Sequence, residues 1–393
     1  MNKINVLFNG TLIRQRLRET ILHPPKNIIY KTRIPLEKMK ADYAMARLGS
    51  DPKNETFLLN LIENLRIPNI RHIPKRFLNN IDVVHTPNQM LLNKIPWVME
   101  VDNSAGLSFY RTRILYSKRG KFLIKHFLNS SYCKKIICLS EASKTGMENT
   151  FKNSQLNKKL EVVYPYVKLN PYKWNPSDKG IIRLLFITTS FCAKGGKELV
   201  AAFKILRKKY KNIDLTIVTA MKLVDKNILN ESKKYPNLHF FEAKYSKDEL
   251  YKNFYSKADI FIMPTYQDSF GLVYLEALAS GLPIIATDMY ALREMVDVGK
   301  NGFLVESPIK YFNENFTPNR LLFDNRVDIG RLAKGNFYPE VSKKLVRYAS
   351  VLIEDEKLRR KMGQYSKNLI KTRFSEDLRK EKLRTIYEKS LNL

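Results

Sequence analysis

Short apolar runs punctuate this chain, separated by longer stretches whose apolar residues recur at helical spacing. Ile4–Phe8 comes first and breaks into Asn9-Gly10, the pattern of a buried strand and its turn. Similar runs follow at Val83-Val84, Trp97–Val101, Lys135–Leu139 and Glu161–Val163, with helical periodicity over Thr56–Leu65 and Lys121–Leu128. Strands alternating with helices predict a parallel sheet covered by helices. Tyr164–Gly180 interrupts the pattern with Pro165, Pro171, Pro176 and Gly180 among polar residues, which predicts a linker.

Beyond it the alternation restarts. Strands are expected at Ile181–Thr188, Leu215–Thr219, His239–Glu242, Asp259–Met263 and Pro283–Thr287. Helices are expected at Lys197–Tyr210, Lys247–Ser256, from Gly271 through Ser280, and from Val341 to the C-terminus. Residues 307–338 fit neither period and read as an inserted excursion, with Asn313, Asn315, Pro318, Asn319 and Asn325 among them. The fold class is therefore α/β, and a chain of 393 residues is long enough for two such domains.

Charge changes the picture more than composition does. Lys and Arg number 69 against 38 Asp and Glu, a net charge of +31 spread over both halves. A surface that basic favours anionic partners. The three cysteines (Cys133, Cys138, Cys192) form no disulfide framework and match no metal-ligand spacing with the five histidines, which points to a reducing cytoplasm and no metal. The N-terminal apolar run is too short for a signal peptide, and no run approaches the ~20 residues of a membrane helix. Any membrane contact is expected at the surface.

Two strand–loop–helix segments are built for anions. In Pro264–Pro283 a buried strand gives way to Asp268-Ser269-Phe270-Gly271-Leu272 and then a helix, so free backbone N–H groups and the positive helix end converge on one sheet edge. Gly271 lets a phosphate approach the backbone, and Glu276 on the helix could accept hydrogen bonds from both ribose hydroxyls. An N-cap and a solvated helix residue are the bland alternatives for Asp268 and Glu276 taken singly. In Phe186–Lys197 another strand leads to Lys194-Gly195-Gly196, placing a lysine where it can reach a diphosphate. Neither segment is a P-loop or a G-x-G-x-x-G fingerprint.

These segments resemble the retaining nucleotide-sugar glycosyltransferases of family 4. Asp268-x7-Glu276 corresponds to the E-x7-E motif, Leu184–Phe203 to the "lFvGr…KG…ll.Af" block, Ile137–Lys144 to "i.vSe.sk", and Arg293–Val305 to "lpEiv.dG.nG.lv". The likeness is specific over roughly residues 135–305 and faint before residue 80. It implies a GT-B fold, two Rossmann-like doubly wound parallel-sheet domains facing a cleft. Residues 1–170 would bind the acceptor, 181–375 the nucleotide sugar, and 376–393 would cross back as a helix onto the N-terminal domain. It further implies transfer of a hexosyl group from an NDP-sugar (UDP- or GDP-sugar) to a lipid-linked or saccharide acceptor in cell-surface glycan or glycolipid synthesis. No cofactor or metal is implied. Asp102, Lys194 and Asp268 take the catalytic positions. Thr189, Lys194, Asp268, Ser269, Phe270, Gly271, Leu272 and Glu276 take the donor-binding ones.

The chain departs from the pattern at four places. Asp268 stands for the first Glu, Thr189 for the arginine paired with the lysine, Asp102 for an N-domain histidine, and Asn9-Gly10 for a longer glycine loop. These departures keep a second reading open, a transfer-impaired GT-B protein acting as a basic membrane- or nucleic-acid-binding module. Asp102 reads equally as a polar group facing the sugar or a strand-end cap, and His85 as a cleft residue or a core one. From Asn103 to Ser140 there is no acidic residue, while the basic residues of Arg111–Lys135 adjoin or interleave with Phe109, Tyr110, Phe122 and Phe127. That composition suits an anionic membrane surface at the inner face; a solvated basic helix is the competing reading, and no nucleic-acid motif accompanies the charge.

Overall fold

The computed structural model describes residues 3–10, 15–33, 59–175, 180–324 and 328–392. The start of the expected Thr56–Leu65 helix, Pro176 of the expected linker and Asn325 of the expected excursion lie outside them. Contacts divide the chain into two units. Met1–Pro165, Phe312–Arg326 and Glu376–Leu393 form the first; Tyr166–Tyr311 and Val327–Ser375 form the second.

The first unit holds strands β1 (Ile4–Phe8), β2 (Ile28–Thr32), β3 (Ile70–Arg71), β4 (Val83–Pro87), β5 (Met90–Leu91), β6 (Trp97–Val101), β7 (Cys133–Cys138) and β8 (Leu160–Val162). Six of them make one parallel sheet in the order β2-β1-β4-β6-β7-β8, and β3 pairs with β5 apart from it. Every residue of β6 is buried, as a strand covered on both faces requires. Strand order reverses between β1 and β4, where Asn9 and Gln89 meet through a 3.1 Å side-chain hydrogen bond.

The second unit repeats the architecture with β9 (Ile182–Ile187), β10 (Ile213–Thr219), β11 (Leu238–Glu242), β12 (Ile260–Met263), β13 (Ile284–Thr287) and β14 (Gly302–Val305). Their order is β11-β10-β9-β12-β13-β14, all parallel. Here the reversal falls between β9 and β12, which pair Leu184 with Ile260 and Leu185 with Phe261. Loops leaving two adjacent strands at a reversal diverge to opposite sides, and the crevice between them is where open α/β sheets bind ligands.

Phe312–Arg326, part of the 307–338 stretch read from sequence as an inserted excursion, groups with the first unit. The Thr112 hydroxyl donates to Asp324, and the Asn149 amide donates to the Asn315 carbonyl at 3.0 Å. The last helix, Glu376–Ser390, also belongs to the first unit and buries Leu383, Ile386 and Tyr387 among Ile4, Val83, Val98 and Ile137. Its polar contacts are as buried as its apolar ones. Arg379 donates to Glu100 at 2.6 Å and to the Val163 and Tyr164 carbonyls at 3.0 and 3.1 Å. His85, fully buried, lies 2.7 Å from the Tyr387 hydroxyl and stacks on Phe8, which makes it a core histidine.

Removing one member of a buried ion pair strands the other without solvent, at a cost of about 3–5 kcal/mol. Arg379→Ala should therefore destabilise the first unit by about that amount. Urea titration followed by Trp97 fluorescence in a Trp174→Phe background reads it. A loss below about 1 kcal/mol, the scale of an exposed pair, would show that the last helix is held by its apolar face alone.

Candidate active site

The carboxyl ends of β9 and β12 carry the two anion-ready loops of the second unit, and the structure presses them together. After β9 the chain passes Thr188 and half-buried Thr189, then turns through Cys192–Lys194 into helix Gly196–Lys209. Gly195 has φ +74°, and a Cβ there would lie 2.3 Å from the Pro264 carbonyl oxygen. No other residue fits that approach without moving the second loop. The backbone bond from Tyr266 N–H to the Ala193 carbonyl, 2.9 Å, completes the junction.

This contact brings Lys194 to Asp268. The ammonium lies 2.7 Å from the Asp268 carboxylate and 2.6 Å from the Gln267 carbonyl, with both charged side chains 17% exposed. Asp268 also accepts from the Phe270 N–H at 3.3 Å, which folds the turn that delivers Gly271. Gly271 has φ +82° and opens helix Leu272–Ala279, whose first amides receive no side-chain cap. Phe270 is buried and anchors the turn, while Ser269, Gly271 and Leu272 are half-buried beside it. The second lysine of the loop, Lys197, donates to the Ala333, Lys334 and Asn336 carbonyls and so closes helix Ile329–Gly335. Lys194 and Lys197 are alike in sequence and opposite in use.

Glu276 lies on the second turn of the helix, 4% exposed, and accepts from the Tyr255 hydroxyl at 3.1 Å. Tyr255 was invisible in the sequence because it precedes β12 and meets Glu276 only through the fold. Beneath both loops sits Glu198, 1% exposed, accepting from the Tyr338 N–H at 3.1 Å. Burial pushes its carboxyl above the ordinary value, and the neighbouring Tyr266 and Tyr338 hydroxyls are raised by the same loss of solvent. From sequence Glu198 looks like an acidic residue favouring a helix N-terminus; its burial depends on the helix Pro339–Glu354 that covers it.

Asp102 belongs to the first unit. It is 4% exposed and accepts from Asn88 Nδ2 (3.2 Å), Asn103 N–H (3.1 Å) and the Tyr110 hydroxyl (3.1 Å). Phe109 and Tyr110 both adopt left-handed backbone, φ +55° and +60°, to bring that hydroxyl in. Two consecutive aromatic residues in this region store strain of the kind found where a turn is over-determined by its surroundings. Asp102 thus sits in an organised turn just past β6.

Two parallel doubly wound units, one carrying an anion-ready pair of loops at its reversal point, define the GT-B fold. Likeness to solved structures agrees over the whole chain. A glycosyltransferase from Rickettsia africae ESF-5 superposes with a TM-score of 0.61 at 18% identity, covering 100% of this chain and 99% of that one. Anabaena HepE in complex with UDP and glucose gives 0.57 at 13% identity over 98% and 99%. Residues 173–317, which carry both loops, match the family described as glycosyl transferases group 1. Among curated relatives, the capsular polysaccharide biosynthesis glycosyltransferase CapM of Staphylococcus aureus is 27% identical over 199 residues, 49% of this chain and 42% of the relative. The D-inositol 3-phosphate glycosyltransferase of Pseudarthrobacter chlorophenolicus is 30% identical over 170 residues, 40% and 38% respectively. The chain thus spans less than half the length of these relatives.

The raised Glu198 carboxyl has a consequence for stability with a definite sign. An acid whose folded pKa lies above its unfolded value destabilises the fold as pH rises from about 4.5, and costs nothing below it. Glu198→Gln keeps the acceptor for Tyr338 and removes the charge. It should be more stable than the parent at neutral pH, with the difference closing as pH falls below the ordinary carboxyl range. Thermal melts across this range check the trend; a variant less stable at pH 7 than at pH 4, relative to the parent, would reverse it.

Proposed function

We propose that this protein transfers a hexosyl group from a nucleoside-diphosphate sugar, with retention of anomeric configuration, to a lipid-linked or saccharide acceptor in glycan synthesis. The observation that carries the reading is the Lys194–Asp268 pair at the β9/β12 reversal, an ammonium held ready beside uncapped helix amides. Support comes from the group 1 match over these loops, from relatives named for glycosyl transfer, and from Anabaena HepE, which was crystallised with UDP and glucose.

In this reading an arriving diphosphate takes over Lys194 from Asp268. The bond from sugar C1 to the diphosphate oxygen breaks through an oxocarbenium-like state, and the acceptor oxygen forms the new bond to C1 while its hydroxyl proton passes to the departing diphosphate oxygen. Lys194 and the amides after Phe270 stabilise the departing charge where it develops, in a half-buried setting that needs little reorganisation. Asp268, released, turns to the sugar hydroxyls, and Glu276 holds the ribose while Tyr255 orients its carboxylate. Thr189, Ser269, Gly271 and Leu272 line the donor's path. Asp102 orders the acceptor side through the Tyr110 turn. The donor binds without metal or cofactor.

Glu276→Ala should weaken UDP or GDP binding by ~1–3 kcal/mol in a calorimetric titration, the range for lost hydrogen bonds to a charged group. Unchanged affinity for both nucleotides removes Glu276 from the site.

The acceptor side includes contact with an anionic membrane at its cytoplasmic face. Helix Lys118–Asn129 buries Gly120, Ile124 and Leu128 and turns Lys118, Arg119 and a 68% exposed Phe122 outward. Among the described residues no helix is long and apolar enough to cross a membrane, so the contact is peripheral in this reading. Flotation with phosphatidylglycerol vesicles should fall as salt rises and vanish when Lys118, Arg119 and Lys121 are changed to Glu, because exposed charges are screened within ~8 Å at physiological ionic strength. Protein that stays in the soluble fraction at low salt makes this helix a solvated face and a soluble saccharide the acceptor.

A further inference from the structure

Tyr116 of the first unit lies between two cations. Lys121 Nζ is 5.4 Å and the Arg320 guanidinium carbon 5.3 Å from its ring centre. They come from distant parts of the chain, Lys121 from the first turn of Lys118–Asn129 and Arg320 from the short helix Arg320–Asp324 of the former excursion. The Tyr116 hydroxyl donates to the Pro318 carbonyl at 3.4 Å, and Thr112 donates to Asp324, so the excursion is fixed against this face.

Lys125 stands one helical turn beyond Lys121 on the same helix. Desolvation pushes the Lys121 ammonium below its ordinary range, and Lys125, Lys152 and Arg320 push it further. Lys152 ends helix Glu141–Phe151 in left-handed backbone at φ +47°. Among the described residues no carboxylate pairs with Lys121, Lys125 or Lys152. Asp324 is engaged with Thr112 and sits 3.6 Å from Arg320. Lys121 and Arg320 share one aromatic ring, and with the two lysines whose charge Lys121 feels they make a positive field that favours a multiply charged anion. The ring holds two of them in place beforehand, which lowers the ordering cost of binding.

We propose that Tyr116, Lys121, Lys125, Lys152 and Arg320 form a subsite for a phosphoryl group, carried by a lipid headgroup or by a soluble phosphate ester. Its charge of up to two matches the cluster better than a carboxylate does, and a guanidinium fork beside lysine point charges suits its several oxygens. Assigning that group to the acceptor rests on the glycosyl-transfer reading; the binding itself does not. The subsite also gives the excursion a role, since it is the segment that delivers Arg320.

The test uses the full chain and two probes at constant ionic strength. One is glycerol 3-phosphate by calorimetry, the other phosphatidylcholine vesicles with and without phosphatidic acid by flotation. Lys121→Gln with Arg320→Gln is compared with Lys75→Gln and Arg76→Gln, which removes equal charge and a cation–ring contact elsewhere on the unit. The first pair should weaken binding about tenfold or more and the second less than about twofold, the contrast between lost charge-assisted contacts and diffuse attraction. Lys121→Arg, which keeps the charge, should retain binding and guards against misfolding. Binding of glycerol 3-phosphate identifies a soluble ester; binding to phosphatidic acid vesicles alone identifies the lipid. Failure of both probes, or equal losses in the two pairs, overturns the subsite. A parallel UDP titration separates the two readings, since absent UDP binding with intact phosphoryl binding sinks glycosyl transfer and leaves the subsite standing.

Discussion

Any side chain at Gly195 would have to occupy the volume of the Pro264 carbonyl, 2.3 Å from where its Cβ would lie. That close approach fixes the spacing of the loops after β9 and β12, and with it the meeting of Lys194 and Asp268. Parallel pairing of the two strands puts both loops at one sheet edge, and the order reversal opens room between them. The buried layer below, with Glu198 bonded to the backbone before helix Pro339–Glu354, ties the loops to the C-terminal helices. The Lys194–Asp268 pair, 17% exposed on each side, is held at that junction.

The first unit relies on a different device. Its sheet is closed by a helix more than two hundred residues away in sequence, whose Arg379 is satisfied by Glu100 and two carbonyls. Such a pair is worth little against a well-packed apolar replacement but is costly to break, so it specifies where the last helix docks. Glu100 is the penultimate residue of β6 and stands two before Asp102, so the helix contact and the strained Tyr110 turn brace the same strand end.

Much of this was legible beforehand. Ile4–Phe8, Trp97–Val101 and the β9 and β12 runs stand where their continuous apolar stretches predicted, because strands buried on both faces leave no other pattern. Edge strand β2, Ile-Ile-Tyr-Lys-Thr, escaped notice because it is only partly buried and mixes polar with apolar residues. Two-residue strands β3 and β5 carry no periodicity at all. The Lys194, Asp268 and Glu276 segments could be picked out by glycine placement and strand–loop–helix order. Tyr255, Glu198 and Arg320 could not. Each acquires its neighbours only through packing between segments that the chain separates widely, and nothing local distinguishes them from an ordinary core tyrosine, helix-start acid or surface arginine.

Nucleotide release from a panel of UDP- and GDP-sugars, followed for the purified protein and for Lys194→Ala, tests the donor site most directly. A lysine that stabilises the departing diphosphate requires release from at least one donor by the native chain. It also requires a fall of roughly hundredfold or more in Lys194→Ala, the scale of losing one preorganised electrostatic contact in a transition state. Release that is undiminished in Lys194→Ala, or absent with every donor, would contradict it.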